Sequence, residues 1–253
     1  MKNIILRQFP LWALIGTMLS CAKQSTPPST ASLTLINTVV GSSPSLVLNF
    51  SDTGGAITWY STALKLVYGT WTAYTNMLGS YSGEQKLAVY HYPDTSAHST
   101  PLFNLTLNLP AGTIHTLFLT GTVTAPDTLF TTDILPYHPA SDSSMGLRFV
   151  NLSPGSAPIS INITGQAHGS EVSSLSYKGM TDFKNYPATA SITDYKFELR
   201  DVATDTLITS YDVTGVNSVS GSNSRRFRNL TLALLGLPND PTTRKIMLID
   251  GFN

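Results

Sequence analysis

Apolar and polar residues alternate over short runs along most of this chain. The run 195–200 places Phe197 and Leu199 on one side and long polar stems on the other, and the run 86–92 behaves in the same way. Successive side chains of a strand point to opposite faces, so each run predicts a strand that is half buried against a core. We find no apolar stripe at helical spacing over three turns, and the pattern therefore predicts an all-β protein.

Ten further segments are predicted strands, and clusters of Gly, Asn, Asp and Pro separate them. They are Leu33–Thr38, Leu46–Phe50, Leu102–Leu109, Thr113–Thr120, Leu129–Ile134, Gly146–Asn151, Ile159–Thr164, Leu207–Val213, Asn229–Leu235 and Lys245–Asp250. Six or seven short strands in about 110 residues are typical of an antiparallel immunoglobulin-like β-sandwich. A single sheet could not bury its apolar face, so two sheets must stack.

An internal repeat indicates that the chain contains two such modules. The segment 35–44 shares its Asn, Gly, Ser and Pro with the segment 149–158 at one constant offset. Colinear repeats of this kind predict two tandem copies of one unit. We place the first module at 32–140 and the second at 141–253, with the boundary in a polar, proline-bounded segment near Ala140.

The N-terminus predicts a bacterial lipoprotein signal at 1–20 and a flexible tether at 21–31. Lys2 and Arg7 precede a short apolar segment that ends at Cys21, the chain's single cysteine. The apolar segment is shorter than the roughly 20 residues that a membrane-spanning helix needs, and its flanks fit a cleaved signal. An ordinary signal peptide with a coincidental cysteine and a buried N-terminal helix are the alternatives.

The predicted partner of Cys21 is the membrane, through covalently attached acyl chains, with the outer membrane as the expected location. More than one chain is needed for stable anchoring. Removing Lys2 and Arg7 leaves 13 basic residues against 15 acidic ones, a formal charge of −2. Phosphate binding needs a basic surface, so nucleic acid is not an expected partner.

The residues around the repeat resemble the DUF4397 family of prokaryotic domains. An apolar strand ending in Asn, a Ser-Pro turn and a second strand leading to glycine occupy 147–165, and a Leu-Pro-Ala-Gly stretch before a closing strand occupies 109–121. The first copy departs at the turn, where Val39-Val40 replaces Ser-Pro. The resemblance implies a cell-envelope, secreted or lipid-anchored protein with no assigned chemistry, and it transfers no catalytic residue.

Known catalytic and metal motifs do not occur in the sequence. The five histidines (His91, His98, His115, His138 and His168) lack the spacing of a zinc site, and no Cys-x-x-Cys, Gly-x-Ser-x-Gly elbow or phosphate loop is present. We therefore expect no cofactor, no metal and a non-enzymatic protein. A less favoured alternative is an envelope hydrolase that uses the loop carboxylates Asp201 and Asp205.

Aromatic residues crowd one third of the first module and supply the candidate binding site. Exposed rings combine apolar area with a polar tip, which suits glycans and protein interfaces. Tyr68 and Tyr74 have the counterparts Tyr177 and Phe183 in the second module, so we expect them to fill the core. Trp59, Tyr60 and Trp71 have none and are the candidate binding residues.

The resulting functional hypothesis is a binding, adhesion or scaffolding module, and its narrower version is a glycan-binding accessory lipoprotein. The basic cluster of Arg225, Arg226 and Arg228 is expected to be a solvated edge rather than a ligand site. Thr128 and Thr206 lie in short patterns that resemble O-glycosylation sites.

Overall fold

The structure is a computed structural model that describes residues 29–50, 64–93, 99–139, 141–218 and 225–252. Its strands are β1 (Thr30–Asn37), β2 (Leu46–Asn49), β3 (Lys65–Leu66), β4 (Met77–Tyr81), β5 (Gly83–His91), β6 (Phe103–Leu109), β7 (Ile114–Thr122), β8 (Ala125–Thr132), β9 (Ser144–Leu152), β10 (Ile159–Ile163), β11 (Val172–Leu175), β12 (Lys184–Pro187), β13 (Asp194–Asp201), β14 (Leu207–Thr214), β15 (Asn229–Leu235) and β16 (Lys245–Phe252). Within these ranges the one helix is α1 (Ala73–Asn76). The all-β prediction is confirmed.

Strands β1–β8, here called the first module, and β9–β16, the second module, form separate pairs of sheets. The first module contains the sheets β4-β1-β7-β8 and β3-β2-β5-β6, and the second contains β12-β9-β15-β16 and β11-β10-β13-β14. Adding eight to each strand number of the first module gives the order in the second. The two modules therefore have the same strand order, while their boundaries near Ala140 stay a prediction.

Each module has one parallel strand pair, which the antiparallel prediction missed. β1 pairs in parallel with β7, with Ile36 opposite Phe118, and β9 pairs in parallel with β15, with Val150 opposite Ala233. Parallel neighbours need a long crossover connection, and the five strands between β1 and β7 supply it. The purely antiparallel arrangement is therefore wrong for these two pairs, and the immunoglobulin-like assignment stays a prediction.

A buried core lies between the two sheets of each module. Leu33 and Leu35 of β1 point into the first core, and Leu147 and Phe149 of β9 point into the second. Alternate residues of the same strands point the other way, as the period of a strand requires.

The opposite faces of the two inner sheets, β4-β1-β7-β8 and β12-β9-β15-β16, pack against each other. The residues buried between them form what we call the inter-module cluster: Ile36, Phe118, Val150, Leu152, Ala233, Leu235, Met247 and Ile249. The molecule is thus a stack of four sheets in which both faces of each inner sheet are covered. This explains why β9 and β15 are buried along their whole length.

A buried ion pair joins the modules beside this cluster. Arg148 of β9 donates from Nη1 to Asp133 Oδ1 at 2.7 Å and from Nε to the Thr231 hydroxyl at 2.9 Å. Thr116 of β7 donates to the other oxygen of Asp133 at 2.5 Å. A buried charge is tolerated only when it is paired and hydrogen-bonded, and these contacts pair the guanidinium and satisfy its Nη1 and Nε.

Two equivalent turns reach across the interface in opposite directions. The Gly69 N–H donates to the Asn37 carbonyl, and the Lys178 N–H donates to the Asn151 carbonyl. Gly69 and Lys178 both have positive φ. The preceding tyrosines cross to the other module: Tyr68 donates to the carbonyl of Thr243 at 2.9 Å. Burial, with a smaller contribution from Asp240, raises the pKa of Tyr68 to about 12.

The cations at these two turns both belong to the second module. Lys178 Nζ lies 2.8 Å from Asp127 of the first module. At the other crossing the first module presents Gly69, and Lys245 of the second module donates to the Tyr68 carbonyl at 3.2 Å. A Cβ on Gly69 would overlap the Lys245 side chain. Glycine at this position therefore makes room for a lysine.

The repeated asparagine is a structural residue in both modules. Asn37 accepts from the Val39 N–H at 3.0 Å and donates to the Leu66 carbonyl at 2.9 Å. Asn151 accepts from the Ser153 N–H at 3.1 Å and donates to the Leu175 carbonyl at 3.2 Å. In each module the buried amide ties the first inner strand to the edge strand of the outer sheet.

Candidate functional site

The candidate site is an apolar cleft at the β4 side of the first module. Its volume is about 540 Å³, and its lining is Thr30, Leu33, Phe50, Leu64, Leu78, Gly79, Ser80, Tyr81 and Gln85. None of these residues carries a charge. Tyr81 at its rim is 64 % exposed. A concave, mainly apolar surface of this size is the usual form of a binding site.

The cleft exists because β4 has small or apolar residues where β12 has large or charged ones. β4 pairs with β1 through Leu33 opposite Leu78, and β12 pairs with β9 through Leu147 opposite Lys184. Leu33 and Leu147 are equivalent in the repeat, so Leu78 corresponds to Lys184. By the same registers Gly79, Ser80 and Tyr81 correspond to Asn185, Tyr186 and Pro187.

In the second module the Tyr186 side chain fills the space that Ser80 leaves open. Tyr186 is 3 % exposed and belongs to the second core. Its hydroxyl donates to Glu171 at 2.5 Å, and burial together with this bond raises the pKa of Tyr186. Lys184 pairs with the same carboxylate at 2.7 Å.

The backbone of β4 has an edge that faces away from its sheet. Within the described ranges β4 pairs with β1 alone. The Ser82 N–H donates to the Ser29 carbonyl at 2.9 Å. Hydrogen-bonded pairs alternate along antiparallel strands, so Leu78 and Ser80 also bond to β1, and the amides of Gly79 and Tyr81 point outward.

The open edge of β4 lacks the usual protection against strand pairing. Edge strands are normally blocked by lysine, proline or a bulge. β12 has both Lys184 and Pro187, whereas β4 consists of Met77, Leu78, Gly79, Ser80 and Tyr81. A Cβ built on Gly79 would meet no heavy atom of the described residues within 4 Å. This surface can accept another backbone.

The structure places only one of the three predicted binding aromatics. Trp71 is half-buried and packs against the inter-module cluster. Trp59 and Tyr60 lie outside the described residues, as does Cys21. Glycan binding by these three residues stays a prediction, and retention of the triple alanine variant on a polysaccharide array tests it.

The two tyrosines predicted to fill the first core do not do so. Tyr74 is 96 % exposed on α1. Tyr68 packs against the inter-module cluster and not inside its own sandwich. The predicted counterparts lie at the junction, since the Tyr177 hydroxyl contacts Thr120 at 3.4 Å and the Arg148 guanidinium lies 4.5 Å from the Phe183 ring centre. The repeat correctly paired Tyr68 with Tyr177, but the strand registers make Met77, and not Tyr74, the counterpart of Phe183.

The carboxylates of the hydrolase alternative have structural roles in the loop between β13 and β14. Asp201 accepts from the N–H groups of Ala203 at 3.0 Å and Thr204 at 2.8 Å, and hydrogen bonds from Thr204 lead the causes that lower the pKa of Asp201. Asp205 instead contacts His168 at 2.6 Å. A 290 Å³ hollow beside this loop is lined by Asp201 but not by Asp205. The two carboxylates do not converge on one cavity.

Three of the described histidines, His115, His138 and His168, make local hydrogen bonds. His115 Nε2 lies 2.7 Å from the Thr113 hydroxyl, and the His115 ring stacks on Phe130. His138 lies between Ser144 and Asn229, 3.0 Å from each. In the described ranges no three His, Cys, Asp or Glu side chains are placed to hold a metal ion.

The arginine cluster is engaged with its own module. Arg225 and Arg228 both pair with Asp250, the latter at 3.3 Å. Arg226 Nε donates to the Ala188 carbonyl at 2.9 Å. These contacts make the cluster part of the fold. The Arg225 side chain is 11 % exposed, so the predicted solvated edge is wrong for this residue.

No helix among the residues that the structure describes has the length and apolar character needed to cross a membrane.

Comparisons with known proteins give a family and several solved structures. The sequence model of DUF4397, "Domain of unknown function", matches residues 31–162, slightly more than half of the chain. The match continues past the predicted boundary at Ala140 and ends in β10. A search of curated proteins finds no match.

One of the solved structures that match is a crystal structure of a candidate adhesin from Bacteroides ovatus. It shares 13 % identity with this chain and covers 92 % of this chain and 96 % of its own, with a TM-score of 0.24. A TM-score of this size does not establish a shared fold.

Proposed function

Because the chain belongs to the DUF4397 family, which has no assigned chemistry, we propose its function from its own surface: it is a non-enzymatic, lipid-anchored envelope protein that binds a partner in the β4 cleft. The observation that carries this proposal is the uncharged cleft beside the open edge of β4. The equivalent position of the second module is filled by Tyr186. In this proposal the first module binds the partner, and the equivalent site of the second module is filled.

The ionisable groups described above support a binding role over catalysis. Asp133 and Arg148 neutralise each other inside the molecule, and Asp201 shapes a turn. Catalytic acids and bases need to converge on a cavity where a substrate can reach them. The lining of the candidate cleft contains no Asp, Glu, His, Lys or Arg.

The anchor in this proposal is lipid on Cys21, and it places the cleft near the membrane. Eight residues separate Cys21 from Thr30, the first residue of β1, and a fully extended chain over these nine steps spans roughly 30 Å. Thr30 also lines the cleft. Mass analysis of membrane-extracted protein should find acyl chains on Cys21, and Cys21→Ala should release the protein from the membrane.

The second module serves in this proposal as a rigid support. The inter-module cluster and the buried Asp133–Arg148 pair hold the two inner sheets face to face. A fixed angle between modules keeps the cleft in one orientation relative to the anchor. A binding site gains affinity when it is preorganised in this way.

Site-specific photo-crosslinking in the native host tests the binding role. A photoreactive phenylalanine analogue replaces Tyr81 at the cleft rim, and in a matched control it replaces Tyr137, which is 86 % exposed outside the cleft lining. We expect a discrete adduct from position 81 that disappears when Ser80→Tyr fills the cleft. No adduct at position 81, or the same adduct at both positions, would overturn the proposal.

A further inference from the structure

We infer that the β4 cleft recognises its partner by strand addition: an extended, uncharged polypeptide segment pairs with the outer edge of β4. This inference rests on the proposed function and specifies the chemistry of the partner. The observation behind this inference is that the unprotected outer edge of β4 lies directly beside the apolar cleft.

The backbone of β4 supplies the hydrogen bonds for an added strand. The amides of Gly79 and Tyr81 point away from β1, as the Ser82–Ser29 bond sets the alternation. Carbonyl groups alternate with the same period along a strand. An incoming segment can therefore exchange main-chain bonds with β4 and extend the sheet β4-β1-β7-β8 by one strand.

The cleft supplies the side-chain specificity. Leu78 packs against the first core, and Ser80 lies on the same face of β4 because side chains alternate. An added strand continues the pleat of its neighbour, so every second side chain of that strand would point toward Phe50 and Leu64. A partner segment with apolar residues at alternate positions fits this arrangement.

The uncharged surface of the cleft favours a partner segment that is also uncharged. β4 contains no Asp, Glu, Lys or Arg, and the cleft lining contains none either. A charged side chain placed there would lose its hydration without gaining a counter-ion. The second module shows the opposite design, since Lys184 and Pro187 would each oppose an added strand on β12.

A polypeptide satisfies this surface better than a glycan does. Main-chain N–H and C=O groups recur at the spacing of β4, whereas sugar hydroxyls do not follow a strand repeat. A second copy of this chain could also offer an uncharged β4, and that possibility is separated below as an outcome of the test.

The test uses the full chain and a synthetic peptide as the probe. The peptide has alternating valine and threonine, a fluorophore, and a two-lysine tail that keeps it soluble. Its binding is measured by fluorescence anisotropy to four variants: Gly79→Ala, Gly79→Pro, Ser80→Tyr and Asn185→Pro. The φ of Gly79 is not positive, and its amide makes no bond to β1, so proline removes only the outward donor.

The variants separate strand addition from simple apolar binding. We expect Gly79→Ala and the control Asn185→Pro to bind within about twofold of the wild type, since each leaves the outward donors of β4 in place. Gly79→Pro and Ser80→Tyr should each weaken binding by about tenfold or more. If Gly79→Pro fails to fold, Tyr81→Pro, which copies Pro187 of the second module, takes its place.

Each remaining outcome decides between the two proposals. Loss of binding in Ser80→Tyr but not in Gly79→Pro would overturn strand addition and leave the cleft as a binding site. Failure of the peptide to bind the wild type would overturn strand addition, while the Tyr81 crosslink would still report on the proposed function. A doubled mass by light scattering that Gly79→Pro abolishes would identify a second copy as the occupant and overturn the partner proposed here.

Discussion

The edge strands β4 and β12 occupy the same position in two modules with one strand order, yet their surfaces are opposite in character. β4 is uncharged and borders a cleft. β12 contains a lysine, a proline and a tyrosine that fills its own core. The difference teaches that the fold does not determine whether this edge is open. Three of the aligned positions, Ser80/Tyr186, Leu78/Lys184 and Tyr81/Pro187, decide it.

The largest expected effect comes from removing the ring that fills the second module. Tyr186→Ser should create a cavity in the second core and lower the free energy of unfolding by about 4 kcal/mol. Urea unfolding measures this change. The control Tyr186→Phe loses only the hydrogen bond to Glu171 and should cost about 1 kcal/mol. Equal costs for the two variants would show that the ring does not fill the position that Ser80 leaves empty.

The comparison also assumes that the two modules form one body, and the buried ion pair tests this. Asp133→Asn leaves Arg148 buried without its carboxylate and should lower the free energy of unfolding by about 3 kcal/mol. The matched control Asp127→Asn removes the partly exposed pair with Lys178, which should cost less than about 1 kcal/mol. If the pair couples the modules, Asp133→Asn alone should show a second unfolding transition. A loss of unfolding free energy as small as that of the control would contradict a structural role for the pair.

The reverse experiment fills the cleft of the first module. Ser80→Tyr gives β4 the residue of β12, and burial of the ring in the cleft should raise the free energy of unfolding by about 1 kcal/mol, after allowing for strain. Thermal unfolding measures the gain. A clear loss of stability would mean that the cleft cannot accept a ring and that its shape differs from the filled site around Tyr186.

An effect of similar, small size is expected from a pH dependence at the junction. The pKa of Tyr68 is raised to about 12, so the folded state favours the neutral phenol that donates to Thr243. Its stabilisation is complete below the ordinary tyrosine pKa near 10 and is lost as pH rises toward 12. With solvent screening at this partly exposed site, the loss should be about 1 kcal/mol. Subtracting the pH dependence of stability of Tyr68→Phe from that of the wild type separates the contribution of Tyr68 from those of the other tyrosines. Identical pH dependences for the two proteins would contradict this prediction.

The sequence predicted the central strands well because their patterns are strong. All twelve predicted strands occur, and the alternation of Phe197 and Leu199 correctly identified a buried face. The four missed strands, β3, β4, β11 and β12, are edge strands of two to five residues. So short a segment gives too few alternate positions to show a period.

The candidate site could not be predicted because its residues come from distant parts of the chain. Leu33, Phe50, Leu64 and Leu78 meet only after two sheets stack. A usable signal was present in the comparison of β4 with β12, but it requires the register between modules, and β12 was not predicted. The same limit explains Tyr68, since a repeat shows that two positions are equivalent without showing what covers them. For Tyr74 the alignment itself was wrong, because the registers make Met77 the counterpart of Phe183.

The crossed turns at Gly69 and Lys178 have a consequence for how modules can associate. Asp127 and Lys245 occupy equivalent positions, because they pair with the equivalent residues Thr120 and Leu235. Two first modules brought together would place Gly69 against Asp127 and leave that carboxylate without its cation. Two second modules would place Lys178 against Lys245, and like charges repel. The tandem is the combination in which each lysine meets an acceptor, so the junction discriminates against mispaired halves of neighbouring chains.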